Sequence, residues 1–542
     1  MKKKTIWILV VCFIVAVISI VGALIYKHVA DKKERIGSYA ENGAGEKNGA
    51  GEKDGAGEKD DAGEVEELQA EVDPVALYVK DDKVYCISLN GGDAWVVSSE
   101  MEAARTLDRF GPLQTGLLFR QNSMLSKNGR WFIHLSMKEK SLYCADLGDP
   151  EKTAVKMDDN VKEYDLCDKE SDVVYLTGEG DLYQFDLKKE IKTQIASDVR
   201  YYYADKDGNT VAYVSDNAVF LWDGNASEKL AEGAEAGLGG LVKNKVYYTN
   251  DKNLYEKKPR TEEKKIDDGV RAQDVMALYE NDAYYLKIFD GTVKLYHYDG
   301  TKSEMIMDRF LDLGEVHERL PIVMFSAWNE QEGRTKYFLA MGDEVCEQKQ
   351  EKLFDAEAFF QKYGKAFYCF FQEGQEDPSG GESLCRITVT DGKLGQEEIL
   401  AEGADPFHAW MNEADQICYI DNYERIYSLL GDLCCEGSTV DTNVFYWDDL
   451  YNAISFALNT KKFIYLKFEW KGTDRWYNLM AGNNEGTEMI AEDVIDFAVW
   501  DEGRILYVKK TGEEYMSGDL YLYENGNSVK LADGVSFILN HD

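Results

Sequence analysis

Histidines, serines and cysteines are the residues of this 542-residue chain whose spacing could most readily reveal chemistry. None of the histidines belongs to the H-E-x-x-H spacing of a zinc site, and no G-x-S-x-G nucleophile elbow occurs. The sequence therefore predicts no catalytic residue, no cofactor-binding residue and no metal ligand. The six histidines are scattered along the chain at His28, His134, His297, His317, His408 and His541.

The ten cysteines show no C-x-x-C spacing. Cys12 lies in an N-terminal apolar run, and most of the others lie inside apolar strands such as "VYCISL", where a small thiol packs well. Free core thiols and a disulfide network both stay open, and disulfides require an oxidising compartment. Metal binding by Cys434 and Cys435 is not favoured, because adjacent strand residues point to opposite faces. The nine remaining cysteines are Cys86, Cys144, Cys167, Cys346, Cys369, Cys385, Cys418, Cys434 and Cys435.

Two short polar motifs could bind or carry a group. The segment "DKDGNT" at 205–210 offers oxygen ligands for Ca²⁺, but it lacks the loop length and the distal Glu of an EF-hand. Because Asp-Gly between two strands is the common hairpin signal, we expect a turn there. The glycosylation sequon "NAS" at 225–227 is equally well explained by turn chemistry.

The first element of the chain that the sequence predicts is an N-terminal membrane anchor. Residues 5–26 form an uncharged apolar run of 22, the length of a transmembrane helix. A cleavable signal peptide is the alternative, but its apolar region is usually only ~7–15 residues long. We expect residues 1–4 to form a short cytoplasmic tail and the bulk of the chain to be extracytoplasmic, as in a signal-anchor protein of the cell membrane. Lysines on both sides of the run leave an inward-facing domain as the competing orientation.

Residues 27–73 form a linker. Within it, 41–64 repeats a G-A-G-E-K-[ND] unit with no large apolar side chain to bury. Such a segment cannot recover the entropy lost on ordering, so a flexible tether is predicted.

From residue 74 onward the chain repeats one pattern of four short strands joined by polar turns. The segment 199–233 is a clear copy, with "RYYYAD", "TVAYVSD", "AVFLWDG" and "SEKLAEG" as its strands. The spacing of about 40 to 50 residues is that of propeller blades, whose faces cover one another. The second core residue of the third strand would lie in the inter-blade core at eleven positions: Tyr85, Tyr143, Tyr183, Phe220, Tyr255, Tyr296, Cys346, Cys385, Tyr427, Tyr477 and Tyr521.

The fold class expected is therefore all-β, a β-propeller of about eleven four-stranded units. Since one ring usually has 4–8 blades, we expect two joined rings, with repeats 74–310 in the first half and 311–542 in the second. The C-terminal "GVSFILNHD" reads as a first strand, whereas the first unit begins at its second, so the two termini would close one blade. Residues 100–112 and 304–364 break the repeat, and parts of 304–364 resemble helix.

Units such as "GDLYQFDLKKEIKTQIASDV" and "GDLYLYENGNSVKLADGV" resemble TolB-like propellers and the related membrane-tethered propeller-repeat proteins of Gram-positive bacteria. The resemblance spans about residues 74–542. It implies the propeller fold and binding of a protein or ligand at a ring face, and it carries no catalytic residues to transfer.

Charge limits the partners. Residues 36–542 hold 54 Lys and Arg against 98 Asp and Glu, a field that repels nucleic acid and anionic headgroups and favours cations or basic proteins. Solubility in a polyanionic cell envelope is the simpler explanation of this charge. We expect a non-enzymatic binding or scaffold protein with a protein, peptide or glycan partner, no nucleic acid partner and no cofactor. The alternative is a propeller-type hydrolase or lyase, which a ring-face cluster of His and carboxylates with perturbed pKa values would favour.

Overall fold

The structure is a computed structural model that describes residues 74–539, apart from internal gaps. Tail 1–4, apolar run 5–26 and linker 27–73 lie outside the described residues, as does segment 100–112. No helix within the described part is both long and apolar enough to span a membrane. The internal gaps are 82, 100–122, 127–128, 137–139, 168–171, 207, 317–320, 348–351, 354–365, 373–381, 391–392, 405–408, 412–415, 423–429, 446–453, 457–461, 472–473, 501–502 and 513–516.

The described chain is all-β and forms nine four-stranded antiparallel sheets and one eight-stranded sheet. The eight-stranded sheet consists of two four-stranded units that meet through the single pair Val444–Lys467. Eleven four-stranded blades result, as the repeat spacing predicts. We number the blades 1–11 along the chain and name the strands of each blade a, b, c and d. One 3-10 turn, Ala272–Asp274, precedes blade 6.

The strands a to d of each blade have the following bounds. The first six blades are: blade 1, Phe537–Ile538, Val75–Lys80, Lys83–Ser88 and Trp95–Ser98; blade 2, Ser123–Leu125, Trp131–Leu135, Leu142–Asp146 and Val155–Asp158; blade 3, Val161–Leu166, Asp172–Thr177, Leu182–Asp186 and Ile191–Ala196; blade 4, Val199–Ala204, Val211–Ser215, Ala218–Trp222 and Ser227–Glu232; blade 5, Gly237–Val242, Lys245–Asn250, Asn253–Lys257 and Lys264–Asp268; blade 6, Val275–Leu278, Ala283–Phe289, Thr292–Tyr298 and Ser303–Met307. The remaining five are: blade 7, Phe310–Val316, Ile322–Asn329, Arg334–Met341 and Glu344–Glu347; blade 8, Lys352–Leu353, Ala366–Gln372, Glu382–Thr390 and Lys393–Ala404; blade 9, Ala409–Met411, Ile417–Asp421, Leu430–Cys435 and Ser438–Phe445; blade 10, Ile454–Phe456, Phe463–Lys471, Asp474–Asn483 and Gly486–Ala491; blade 11, Val494–Val499, Arg504–Lys510, Gly518–Glu524 and Asn527–Val535.

The chain closes through its last strand, as the sequence predicts. Phe537–Ile538 pairs antiparallel with strand b of blade 1, and the backbone N–H of Leu539 donates to the carbonyl of Leu77 at 2.8 Å. The buried carboxylate of Asp496 in blade 11 accepts the N–H of Ile538 at 2.7 Å. Shared apolar cores join blade 11 to blade 1, and they join the neighbouring blades from 1 to 7 and from 8 to 11. The number of rings stays a prediction.

A ladder of facing side chains on strands b and c forms the inter-blade core. In eight blades the facing rings stack with centroids 5.1–5.7 Å apart. The strand b member is buried, whereas Tyr183, Tyr255 and Tyr521 on strand c are half-buried against the same cores. The predicted burial of these three tyrosines therefore holds in part. The facing pairs are Tyr78–Tyr85, His134–Tyr143, Tyr175–Tyr183, Tyr213–Phe220, Tyr248–Tyr255, Tyr285–Tyr296, Phe325–Phe338, Tyr419–Cys434, Tyr465–Met480 and Tyr507–Tyr521. In blade 8 the backbone register pairs position 369 with Cys385.

Two of the predicted ladder positions are wrong, and a third lies outside the described residues. Cys346 lies on strand d of blade 7, where Phe338 is the strand c residue that stacks. Tyr477 lies three positions before Met480, because strand c of blade 10 is ten residues long and starts early. Tyr427 is not described, and Cys434 takes its position in blade 9.

The expectation of partial helix in 304–364 is also wrong where the chain is described. Residues 303–316 form strands on either side of a turn, and Ile322–Asn329 and Arg334–Met341 form a long hairpin. Pairing to neighbouring strands outweighs the local helix propensity of this segment.

Glycines at the two "GDLY" segments serve different purposes. Gly180 has φ +92, a conformation that favours glycine, and it makes the b–c turn of blade 3. Gly518 lies within strand c of blade 11, where a side-chain Cβ would meet the carbonyl oxygen of Lys509 at 2.1 Å. The glycine of the same short sequence therefore makes a turn in blade 3, whereas in blade 11 it allows two backbone segments to lie close together.

A Tyr-x-Lys motif on strand b latches a blade to the one before it. In blade 6, Tyr285 and Lys287 both donate to the carboxylate of Asp267 on strand d of blade 5, at 2.7 and 2.9 Å. Charge-assisted hydrogen bonds of this kind are about twice as strong as neutral ones, so each latch ties two sheets together. The same arrangement recurs at Tyr465, Lys467 and Asp441, and Lys80 alone pairs with Asp533.

Candidate functional site

The a strands form the inner edge of the blades. In blades 4, 5 and 6 they contact one another, whereas the d strands are largely exposed, as at Ile191–Ala196 and Lys264–Asp268. In a propeller the strands that meet at the centre line the channel. Each a strand starts at the end of the blade that carries the b–c turn: the N–H of Val199 donates to the carbonyl of Gly180, and that of Trp328 to Arg309. We call this end the mouth end.

Strand a carries a β-bulge at the same place in six blades. Its register skips from Val161 to Glu163 in blade 3 and from Val199 to Tyr201 in blade 4, so one residue is left out of the pairing. A bulge bends the strand and redirects the side chain of the extra residue. The six skipped residues are here called the mouth ring: Lys162, Arg200, Gly239, Met276, Leu311 and Ile495. Ile495 packs against the core that blade 11 shares with blade 1.

One arc of the mouth ring is cationic. Lys162 and Arg200 are exposed on adjacent blades, and the ammonium of Lys162 donates to the backbone oxygen of Arg200 at 3.5 Å. The guanidinium of Arg200 donates to Asn217 Oδ1 at 2.7 Å, while the ammonium of Lys162 lies 3.8 Å from a carboxylate oxygen of Glu163. Tyr201 is exposed beside them. Two accessible cations thus lie side by side in a chain whose net charge is −39.

A second arc, on blades 6 and 7, is apolar. Met276 is half-buried and Leu311 is exposed. Strand b of blades 6 and 7 is seven and eight residues long, compared with five in blade 4, so their b–c hairpins extend further at the mouth end. These hairpins expose three large apolar side chains, here called the aromatic fringe: Ile288, Phe289 (64% exposed) and Trp328 (42%).

Gly239 separates the two arcs. It has no side chain to project into the mouth, and a Cβ there would meet Val275 Cγ2 at 3.0 Å and the carbonyl of Tyr247 at 3.3 Å. The mouth therefore offers a cationic arc, a bare backbone position and an apolar arc in chain order.

The one His and carboxylate cluster among the described residues lies at the opposite end of the blades. His297 at the end of strand c in blade 6 is held by Asp282 at 2.8 Å through Nε2 and by Asp343 of blade 7 at 2.7 Å through Nδ1. Burial works to lower the pKa of His297, but the hydrogen bonds to the two carboxylates outweigh it and raise the pKa.

An imidazolium that donates from both nitrogens has no lone pair with which to accept a proton. His297 therefore clamps blade 6 to blade 7 and is unsuited to serve as a general base. His134 is a ladder residue instead, stacked on Tyr143 with 5.1 Å between centroids, and burial lowers its pKa to about 4.

The other motifs that the sequence offered as possible sites lie in turns or in the buried core. Segment 205–210 is the a–b turn of blade 4, closed by the N–H of Asp205 to Thr210, and Asn225 is in the c–d turn of the same blade. Cys434 and Cys435 are both buried. Within the described ranges, no group of three or more His, Cys, Asp or Glu side chains could hold a metal ion.

Sequence reasoning missed the mouth ring. The bulge residue follows the Val that ends "IASDV" and "IAEDV". This Val is the first residue of strand a in blades 4 and 11, which gives Arg200 and Ile495. Aligning the repeats on this Val, rather than on the strand c tyrosine, would have identified both positions.

No family model and no curated protein matches the sequence. Solved structures resemble it in fold at low identity. They include dipeptidyl peptidase 4 of Porphyromonas gingivalis (11% identity, TM-score 0.37, 64% of this chain and 62% of that one) and PorZ, a surface component of the type-IX secretion system of the same organism (11%, 0.27, 76% and 52%). A third is the β-propeller domain of the Trilobed protease from Pyrococcus furiosus (12%, 0.27, 51% and 94%). The chain thus spans less than two thirds of the first two proteins.

Proposed function

We propose that this chain is a membrane-anchored, extracytoplasmic β-propeller that binds a partner of the cell envelope at its channel mouth without catalysis. The observation that carries the proposal is the mouth ring with its aromatic fringe. Ladder residues repeat because packing requires them, whereas the bulge residues change from Lys and Arg to Met, Leu and Ile at one structural position. Lys162, Arg200 and Leu311 are exposed, and exposed residues that vary within a repeat while the fold stays constant are free to serve binding.

The chemistry of the mouth defines the partner. The arc of Lys162 and Arg200 suits carboxylates, and the arc of Met276 and Leu311 suits apolar side chains, with Phe289 at the rim. A peptide or protein segment with acidic residues at one end and apolar residues at the other would match both arcs. The overall negative charge would repel such a segment at long range, so the local cations would select for it at short range.

The runner-up, a hydrolase or lyase with a channel-centred site, receives less support. Both nitrogens of His297 are held by carboxylates, and His134 is fully buried in the ladder. Both side chains are at most 2% exposed, and the other four histidines lie outside the described residues.

Photocrosslinking tests the proposal. A benzophenone-bearing residue at position 311 of the full-length protein, displayed on cells, should capture an envelope partner on irradiation, whereas the same residue at exposed Val529 on an outer d strand should not. The double variant Lys162→Glu and Arg200→Glu should lower the capture at position 311 roughly tenfold. A matched control, Lys188→Glu with Lys265→Glu, changes the net charge equally at exposed outer positions and should leave capture unchanged.

Equal loss in both double variants would show that overall charge, not the mouth, governs binding. Capture at position 529 but not 311 would place the partner elsewhere and overturn the proposal. Protease digestion of intact cells tests the orientation: the propeller should be cleaved from outside, and protection until lysis would show that it faces inward.

A further inference from the structure

Two cysteines face each other across strands b and c of blade 9. Cys418 lies directly opposite Cys435 in the antiparallel register, and both side chains are buried, at 0% and 2% exposure. Both belong to the apolar core that blade 9 shares with blades 10 and 11.

The backbone around this pair has the geometry of a disulfide site. The N–H of Glu436 donates to the carbonyl of Ile417 at 3.0 Å, so this neighbouring pair is a hydrogen-bonded one. Because the two kinds of pair alternate along an antiparallel ladder, Cys418 and Cys435 form a non-hydrogen-bonded pair, whose Cα atoms are about 4.5 Å apart. Both cysteines are free thiols in this structure, and a disulfide spans Cα separations of roughly 4.4–6.8 Å, a range that includes this spacing.

The side chains also select this pair over its neighbour. Burial, and then a hydrogen bond with the thiol of Cys435, raise the pKa of Cys418. Cys434 points to the other face of the sheet, where its Sγ lies 3.8 Å from Thr439 Oγ1 and its core is the one shared with blade 8. Although Cys434 and Cys435 are adjacent in sequence, only Cys435 shares a face with Cys418.

We propose that Cys418 and Cys435 form a cross-strand disulfide that staples blade 9 in the extracytoplasmic protein. Exchange with the disulfide of a thiol–disulfide oxidoreductase, or with glutathione disulfide, would make it. A thiolate attacks one sulfur of the incoming disulfide and expels a thiol, and the second cysteine then displaces the other thiol. Two protein thiols lose two hydrogens, and one disulfide of the oxidant becomes two thiols. Because the pair is buried in the fold, the exchange belongs to folding, before blades 9 and 10 pack together.

Peptide mapping tests the inference with the full-length chain. Cells are treated with N-ethylmaleimide to block free thiols, and the denatured protein is digested with trypsin without reductant. Cleavage at Lys393, Arg425 and Lys461 puts Cys418 and the Cys434–Cys435 pair in separate peptides. These two peptides should be found covalently linked. The link should survive Cys434→Ser and disappear in Cys435→Ser.

Maleimide on both Cys418 and Cys435 in a propeller that external protease can reach would overturn the inference, and so would a link that Cys434→Ser abolishes. The disulfide in cells rests on the proposed extracytoplasmic location. The protease assay on the same cells tests that location separately from the pairing of the cysteines. If the propeller proves to face inward, refolding the purified chain with glutathione disulfide decides the pairing. Formation of the Cys418–Cys435 link would then support the geometry, and its absence would refute it.

Discussion

Replacing His134 with Phe should make blade 2 resistant to mild acid. His134 is fully buried at the strand b position of the ladder, where the other blades mostly have Tyr or Phe. Burial lowers its pKa to about 4 from an ordinary value near 6.5. The unfolded chain therefore binds a proton as the pH falls below about 6.5, whereas the folded chain does not until about pH 4, so stability is lost across this window.

The size of the effect follows from the two pKa values. At pH 5.0 the unfolded form gains about 2 kcal/mol relative to the folded form, and at pH 7.5 almost nothing. His134→Phe removes the titrating group and keeps a ring to stack on Tyr143. Between pH 7.5 and 5.0 we therefore expect the free energy of unfolding of the variant to fall by about 2 kcal/mol less than that of the parent.

Hydrogen–deuterium exchange, corrected for the pH dependence of the intrinsic rate, measures this at the peptide spanning residues 131–146. Opening free energies of parent and variant are compared at the two pH values. Tyr213→Phe is the matched control, because it alters the same ladder position of blade 4 without removing a group that titrates in this range. If His134→Phe shows the same loss between pH 7.5 and 5.0 as the parent, the buried imidazole does not set the acid sensitivity of blade 2.

Three other predictions concern contacts between blades. His297→Phe should weaken the junction of blades 6 and 7 by about 2 kcal/mol at pH 6. Because the pKa of His297 is raised in the folded protein, its stabilising effect is fully present below about pH 6.5 and is lost as the pH rises through the folded-state pKa. Hydrogen–deuterium exchange at pH 8.5 should therefore show a smaller difference in opening free energy between variant and parent. Asp441→Asn should destabilise blades 9 and 10 by about 1–2 kcal/mol and Lys467→Met by a similar amount, and a double-mutant cycle from urea unfolding should show that the two losses do not add. Asp496→Ala leaves the N–H of Ile538 without this acceptor, which costs about 1–3 kcal/mol, and limited proteolysis should release the C-terminal strand earlier than in the parent; unchanged proteolysis would contradict this role for Asp496.

The repeat was predictable because a buried ladder imposes a regular pattern. An L-Y pair before a polar turn marks strand c in blades 3 and 11, and the leftover C-terminal strand indicated the closure. The errors arose where strand length changes. Tyr477 satisfies the pattern, but strand c of blade 10 starts early and places Met480 in the ladder.

The candidate site was less predictable for a related reason. A β-bulge adds one residue to a strand and shifts its alternation, so Arg200 and Leu311 look like ordinary strand residues in a period of two. Whether a hairpin projects its tip, as at Phe289, depends on how far two strands continue past the ladder, which alternation does not encode. Contacts between blades, such as that of His297 with Asp343, join residues 46 apart and follow from packing alone.

The closing strand also sets an order of assembly during synthesis. Strand b of blade 1 is made at residues 75–80, whereas its partner strand at 537–538 is made only after the ten blades between them. At about 5–20 residues per second, the edge of blade 1 stays unpaired for roughly half a minute to a minute and a half. Throughout that time an open strand edge is available to other chains, so ribosomes that stop early release a product whose first blade can never be completed. Any product that ends before residue 537 therefore lacks the strand that completes blade 1.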